Sequence, residues 1–184
     1  LSATNRGAVR ARGDYYRTPD WVIDHAIEIL SQRFGASPFV LDAGCGDGAI
    51  LARFESAGFE GAGFELDHDL CVAARKQRAG DIVKGCFLRD PFPVPPSAVC
   101  VMNPPFSLAR EFVERSIALG MPTLALLRLS FLASKKRVSF WREHAAHVYV
   151  LPRRPSFTGN GLTDSCDYAW FLFGACVERR WEML

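Results

Sequence analysis

Apolar positions recur along this chain in two rhythms, and their alternation sets the expected fold class. Ile23, Ala26, Ile27, Leu30 and Phe34 fall at the spacing of one helix face, and Gly35 closes that helix. Ahead of it, Thr18 suits the N-cap, Pro19 the first helical position, and Asp20 the positive helix end. Phe39-Val40-Leu41 is then a short apolar run of the strand type, and a glycine-rich turn leads to a helix carrying Ile50, Leu51 and Phe54 that Gly58 ends. The rhythm repeats. A strand is expected over 59–64, a helix from its cap at Asp67 to Ala79, and a third strand with its exit over 81–88. Val99–Met102, the helical stretch 107–119, the strand 123–129, a helix containing Trp141, and strands 148–151 and 168–173 complete the chain. Strands separated by helix-length segments predict an α/β fold with a mostly parallel seven-stranded sheet and helices on both faces. Arg128 interrupts the apolar run 123–129 near its carboxyl end, so it is expected to point into a cleft.

Composition narrows the class. With 184 residues, 49% hydrophobic and 23% charged, the chain reads as one globular domain spanning 18–184 behind a basic N-terminal arm, 1–17. That arm carries Arg6, Arg10, Arg12 and Arg17; it is either a frayed tail or a phosphate-touching arm. A net charge of +2 gives no global field for a polyanion, so a nucleic-acid surface has to be a local patch. Ser134-Lys135-Lys136-Arg137 with Arg142 is one such patch or a solvated helix face. The six cysteines lack a Cys-x-x-Cys pair and mostly sit in apolar stretches, which fits reduced thiols in a cytoplasmic protein. His144 and His147 have no cysteine or carboxylate partner at ligand spacing, so no metal site is expected. No apolar run is long enough for a bilayer and no signal peptide opens the chain; the first residue, not methionine, points to processing or trimming.

Three stretches carry candidate chemistry. Asp42-Ala43-Gly44-Cys45-Gly46-Asp47-Gly48 follows the first strand, and its alternate glycines permit a tight turn with close backbone approach to a ligand. Gly44-x-Gly46-x-x-Ala49 also satisfies the relaxed dinucleotide fingerprint. Asp42, however, is out of place beside a pyrophosphate and suits a cofactor bearing a cationic amine and sulfonium. Glu65, at the end of the second strand, can accept both hydroxyls of a ribose, with Leu66 beside it. In the third stretch, Val99–Ser107, four apolar residues lead to Asn103-Pro104-Pro105-Phe106. Neither proline donates an N–H, so the strand stops and a stiff turn presents an amide, carbonyls and an aromatic ring.

Asn103-Pro104-Pro105-Phe106, with the glycine loop before it, closely resembles the class I S-adenosylmethionine-dependent methyltransferases that modify planar nitrogens. These include adenine-N6 enzymes acting on DNA or RNA and glutamine-N5 enzymes acting on proteins. The resemblance covers about residues 15 to 175 and implies a Rossmann-like sheet closed by an antiparallel C-terminal hairpin. It implies an S-adenosylmethionine site of Thr18, Pro19, Asp42, Gly44, Cys45, Gly46, Glu65, Leu66, Cys86, Phe87 and Asn103, with Tyr16-Arg17-Thr18-Pro19 resembling a first motif near the methionine end. Asn103, Pro104, Pro105 and Phe106 would be catalytic: the Asn103 oxygen and the Pro104 carbonyl accept the two amine N–H bonds, and Phe106 stacks on the base. Phe157 would pack on that base or anchor its loop, and Arg153 and Arg154 would meet phosphates. Cys86 departs from the pattern, since an Asp commonly takes the adenine amino group there; a backbone carbonyl or Asp90 would have to replace it. The motif order leans toward DNA adenine-N6 methylation. RNA adenine-N6 methylation is the alternative, then glutamine-N5 methylation of protein, which usually carries tyrosine in place of Phe106, or a non-catalytic scaffold. No separate target-recognition domain is expected, so nucleic acid would be read by loops 107–120, 130–145 and 152–166 or through a partner protein.

Overall fold

The computed structural model describes residues 15–35, 37–77, 80–157 and 163–174. Most of the basic arm, Cys176 and the predicted helix end at Ala79 lie outside the described residues. The strands are β1 (Phe39–Ala43), β2 (Gly61–Glu65), β3 (Asp81–Lys84), β4 (Ala98–Met102), β5 (Thr123–Arg128), β6 (Ala146–Val150) and β7 (Tyr168–Phe173). They form a single sheet in the order β3-β2-β1-β4-β5-β7-β6. β1 to β5 pair in parallel, and β7 runs antiparallel to both β5 and β6. Helices α1 (Asp20–Phe34), α2 (Ala49–Ser56), α3 (His68–Lys76), α4 (Ala109–Ala118) and α5 (Val138–Glu143) cover it.

Alternation along the central strands builds a core on each face. Val40, Val99, Val101, Leu124 and Trp170 join the buried faces of α1, α2 and α3. Leu41, Cys100, Met102, Leu127 and Phe171 join α4 and α5 on the other side. β5 is buried from Thr123 to Leu127, which explains its unbroken apolar run.

Several boundaries differ from expectation for local reasons. Pro19, not Thr18, is the N-cap of α1, and Asp20 is its first helical residue; Thr18 is buried and its hydroxyl is used elsewhere. Phe59 belongs to the turn after α2, because its N–H donates to the Phe54 carbonyl, so β2 starts at Gly61. β3 ends at Lys84; beyond it the N–H groups of Arg89 and Asp90 both donate to the Cys86 carbonyl in a turn. β6 begins at Ala146, earlier than its apolar run, because it is an edge strand on which His147 and Tyr149 are only half-buried.

Strand order decides where function can sit. β1 and β4 are neighbours in parallel register, from Phe39 opposite Ala98 to Leu41 opposite Cys100. The loops leaving their carboxyl ends, the glycine loop and the Asn-Pro-Pro turn, therefore lie side by side. This is the point at which the strand order reverses, the usual ligand crevice of open α/β sheets.

Candidate active site

A cleft of about 910 Å³ opens along the carboxyl ends of β1, β2, β3 and β4. Gly44 and Gly46 in its glycine loop have φ of 81° and 57°, the left-handed region where a side chain is strained. The N–H groups of Gly44 and Cys45 both donate to the Phe64 carbonyl at 2.8 Å, tying the loop to β2. A β-carbon on Gly44 would lie 4.0 Å from Pro105, so the loop and the Asn-Pro-Pro turn are within reach of contact.

Two carboxylates flank this loop in different states. Glu65 is held by backbone: its Oε2 accepts from the Gly46 N–H and its Oε1 from the Asp67 N–H, each at 2.8 Å. Beside it Leu66 lines the cleft while 63% exposed, an open apolar surface next to a fixed acceptor pair. Asp42 lies inside β1, fully buried, and also lines the cleft. Neither of its oxygens has a hydrogen-bond partner among the described residues. Burial first, then the negative charges of Glu65 and Asp47, pushes its carboxyl well above the ordinary carboxylate range. Burial likewise raises the Cys45 thiol, with Asp42 and Glu65 adding to it, so Cys45 is an apolar wall and not a nucleophile.

Asn103 is fixed by the segment that precedes α1. Its Nδ2 donates to the Tyr16 carbonyl at 3.1 Å and to the Thr18 hydroxyl at 3.0 Å. A carbonyl can only accept, so the amide has one orientation, with the acceptor Oδ1 turned away from that segment. Arg17 forms an ion pair with Asp47, and the Tyr15 ring lies against Gly46, where a β-carbon would come within 2.1 Å of it. Residues 15–18 thus strap the glycine loop to the Asn-Pro-Pro turn. Burial, with Asp47 nearby, raises the Tyr15 phenol above its usual range.

Most predicted ligand residues converge here. Thr18, Asp42, Gly44, Cys45, Glu65, Leu66, Cys86, Phe87 and Asn103 line the cleft, with Pro105. Pro19, Gly46, Pro104 and Phe106 do not: Pro19 caps α1, Gly46 is covered by Tyr15, and Pro104 is buried. Phe106 is enclosed instead. Tyr16 stacks on it at 5.5 Å, Tyr168 and Phe157 lie 5.9 and 6.4 Å away, and the Arg128 guanidinium carbon sits 4.2 Å over its ring. The expectation that Arg128 points into the cleft is therefore corrected. Its Nε donates to the Tyr168 hydroxyl at 3.0 Å, and that hydroxyl donates to Asp164 at 2.7 Å. The Asp90 carboxylate accepts the Cys86 N–H at 2.7 Å and stands behind the cleft lining that Gly85 and Cys86 form. Phe87 is 2% exposed and packs on Phe64, Phe92 and Phe112, which leaves it as backing for the cleft wall.

Arg153 and Arg154 are exposed and outside the cleft. Arg153 lies 4.6 Å over the Trp21 ring, and Arg154 pairs with Asp167 at 2.7 Å. In the basic patch, Arg137 is structural: it donates to the Ser130 and Phe131 carbonyls, whereas Lys135 and Lys136 are exposed. Sequence reasoning named Tyr16 only as the first residue of the Tyr16-Arg17-Thr18-Pro19 motif, and missed Tyr15 and Asp47 as site residues. The signal available was the aromatic pair Tyr15-Tyr16 just ahead of Thr18-Pro19, assigned to the arm. Among the described residues no group of His, Cys, Asp or Glu could hold a metal ion, and no helix is long and apolar enough to cross a membrane.

No protein-family model matches the chain. A curated Synechococcus protein, ribosomal RNA small subunit methyltransferase A, is 37% identical over 93 residues, 48% of this chain and 32% of its own length. The chain thus spans about a third of that relative. A Pyrococcus horikoshii structure superposes with a TM-score of 0.72 at 15% identity, covering 95% of this chain and 93% of its own. An RNA methyltransferase from Salinibacter ruber, solved with S-adenosyl-L-homocysteine, gives 0.56 at 17% identity, covering 91% and 99%. The fold is that of the class I S-adenosylmethionine-dependent methyltransferases.

Proposed function

We propose that this chain transfers a methyl group from S-adenosylmethionine to the exocyclic N6 amine of adenine in RNA. The observation that carries the reading is the pinned amide of Asn103, set beside a glycine loop at the switch point of this fold. RNA is preferred over the DNA acceptor suggested by motif order, because the curated relative and the Salinibacter structure are both named for RNA.

The cleft fits the cofactor on its own features. Asp42, buried and with neither oxygen bonded among the described residues, would be matched by a cationic amine. Glu65, fixed by two N–H groups, keeps acceptor capacity for a ribose diol, and exposed Leu66 offers an apolar surface to adenine. When bound, S-adenosylmethionine supplies an electrophilic methyl group on sulfonium. The protein's task is to make a poor amine nucleophilic. Asn103 Oδ1 accepts an amine N–H, holding it out of the ring plane and helping to localise the lone pair. Because the amide is already oriented, little reorganisation accompanies the reaction. Positioning and preorganised acceptors carry this chemistry.

The test is transfer of radiolabelled methyl to RNA, DNA and protein pools, followed by nucleoside and amino-acid analysis. Label in N6-methyladenosine is expected; label confined to protein or to DNA would overturn the RNA reading. Asn103→Ala should lower kcat by about 10²–10³-fold, while calorimetric affinity for S-adenosylmethionine stays within about twofold of wild type. Unchanged turnover in that variant would remove Asn103 from the mechanism.

A further inference from the structure

Phe106 belongs to the Asn-Pro-Pro turn, yet the cleft does not reach its ring. Tyr16 stands between them: it lines the cleft, and its ring stacks on Phe106 at 5.5 Å with 21° between planes. The same ring lies 6.2 Å from Phe157, tilted by 59°. Parallel to Phe106 and tilted to Phe157 is the pose a planar acceptor would take between those two side chains.

We propose that the Tyr16 ring occupies the slot in which an acceptor base stacks on Phe106, and that base binding displaces it by rotation of that one side chain. This rests on the adenine-acceptor reading above. The displaced element is the ring and not the strap, because the strap is fastened on both sides of it. Tyr15 is packed on Gly46 and Arg17 is paired with Asp47. The backbone carbonyl of Tyr16, not its ring, accepts from Asn103, so the ring can leave without loosening the catalytic amide. Phe106 keeps its place when the ring departs. Arg128 lies 4.2 Å over it, and Arg128 is bonded to the fully buried Tyr168, which is bonded to Asp164.

Tyr16 is thus an intramolecular competitor of the acceptor: it lowers apparent affinity by the fraction of time its ring holds the slot. It also favours ligands with a flat face large enough to replace the lost ring contact, so heteroaromatic amines are selected over aliphatic ones.

The experiment uses the full chain and a short RNA carrying 2-aminopurine at a single unpaired position, with stacking followed by fluorescence. The same RNA with adenine at that position is used for methyl transfer. Removing the ring with Tyr16→Ala, or with Tyr16→Ser should the first variant fold poorly, is expected to tighten RNA binding about three- to tenfold. KM should fall by the same factor with kcat little moved, and Tyr16→Phe, which retains the ring, should restore the wild-type KM. Equal or weaker binding by the small variants would overturn the inference, as would absence of 2-aminopurine stacking in every variant. If the small variants bind more tightly but no adenine is methylated even by wild type, the adenine-N6 reading falls and the slot stands. If adenine is methylated and the variants bind like wild type, the slot falls and the reading stands.

Discussion

Asp42 is acidic, central and without a hydrogen-bond partner among the described residues, a combination with consequences for stability. Its carboxyl is held well above the ordinary 3.8 by burial, then by Glu65 and Asp47, so the folded chain binds this proton more tightly than the unfolded one. Its contribution to stability is therefore fully present below pH 3.8 and lost as pH rises through the folded value. Asp42→Asn removes the cost of ionising a buried group. Thermal unfolding of this variant should show about 1–3 kcal/mol of added stability at pH 7 and no gain at pH 3.5. Its affinity for S-adenosylmethionine should drop at least about tenfold, because a buried counter-charge is gone. A variant less stable than wild type at pH 7 would mean that the carboxylate has a partner. The acid at the strand tip was visible in the sequence. Its burial was not, because β1 runs on through Asp42 and Ala43, past the apolar run that marks it.

At the scale of elements, the helices and strands announced themselves where apolar runs were long or periodic, as in α1 and β5. They were misplaced where the environment was one-sided. β6 alternates half-buried polar residues along a sheet edge, and Phe59 is apolar yet turned, so neither boundary follows from residue type. The start of α1 is the instructive case. Thr-Pro predicts a capped helix by local chemistry, but the Thr18 hydroxyl accepts from Asn103, eighty-five positions away in sequence, and Pro19 takes the cap. Thr18→Val discriminates between these roles. It should leave helical circular dichroism unchanged and lower kcat about tenfold, from the loss of one of the two acceptors that orient the amide. Loss of α1 helicity instead would restore Thr18 to the cap. The aromatic cluster around Phe106 was legible only in part, since Tyr16, Phe157 and Tyr168 come from three separate elements and no local pattern links them.

At the scale of the molecule, a net charge of +2 leaves the proposed RNA binding to local groups. Arg153 and Arg154 are placed on the surface of the β6–β7 connection, one stacked on Trp21 and the other paired with Asp167. An exposed pair of that kind contributes little to folding, so both arginines can be replaced with small effect on stability. Arg153→Ala with Arg154→Ala should weaken RNA binding and reduce the slope of log affinity against log salt by about one to two. Filter-binding titrations across a salt series measure this, and an unchanged slope would place the phosphates elsewhere.

β7 is inserted between β5 and β6, and all six of its residues are buried. This last of the described strands in chain order is thus an interior plank of the sheet, so assembly of its β5-β7-β6 edge has to wait for residues 168–173 to emerge from the ribosome. Until then β5 carries a bare hydrogen-bonding rim on an apolar strand, the kind of edge that pairs with other chains. Translation that stalls or terminates before residue 168 should therefore yield a sticky product, prone to chaperone capture and proteolysis, and not a smaller working domain.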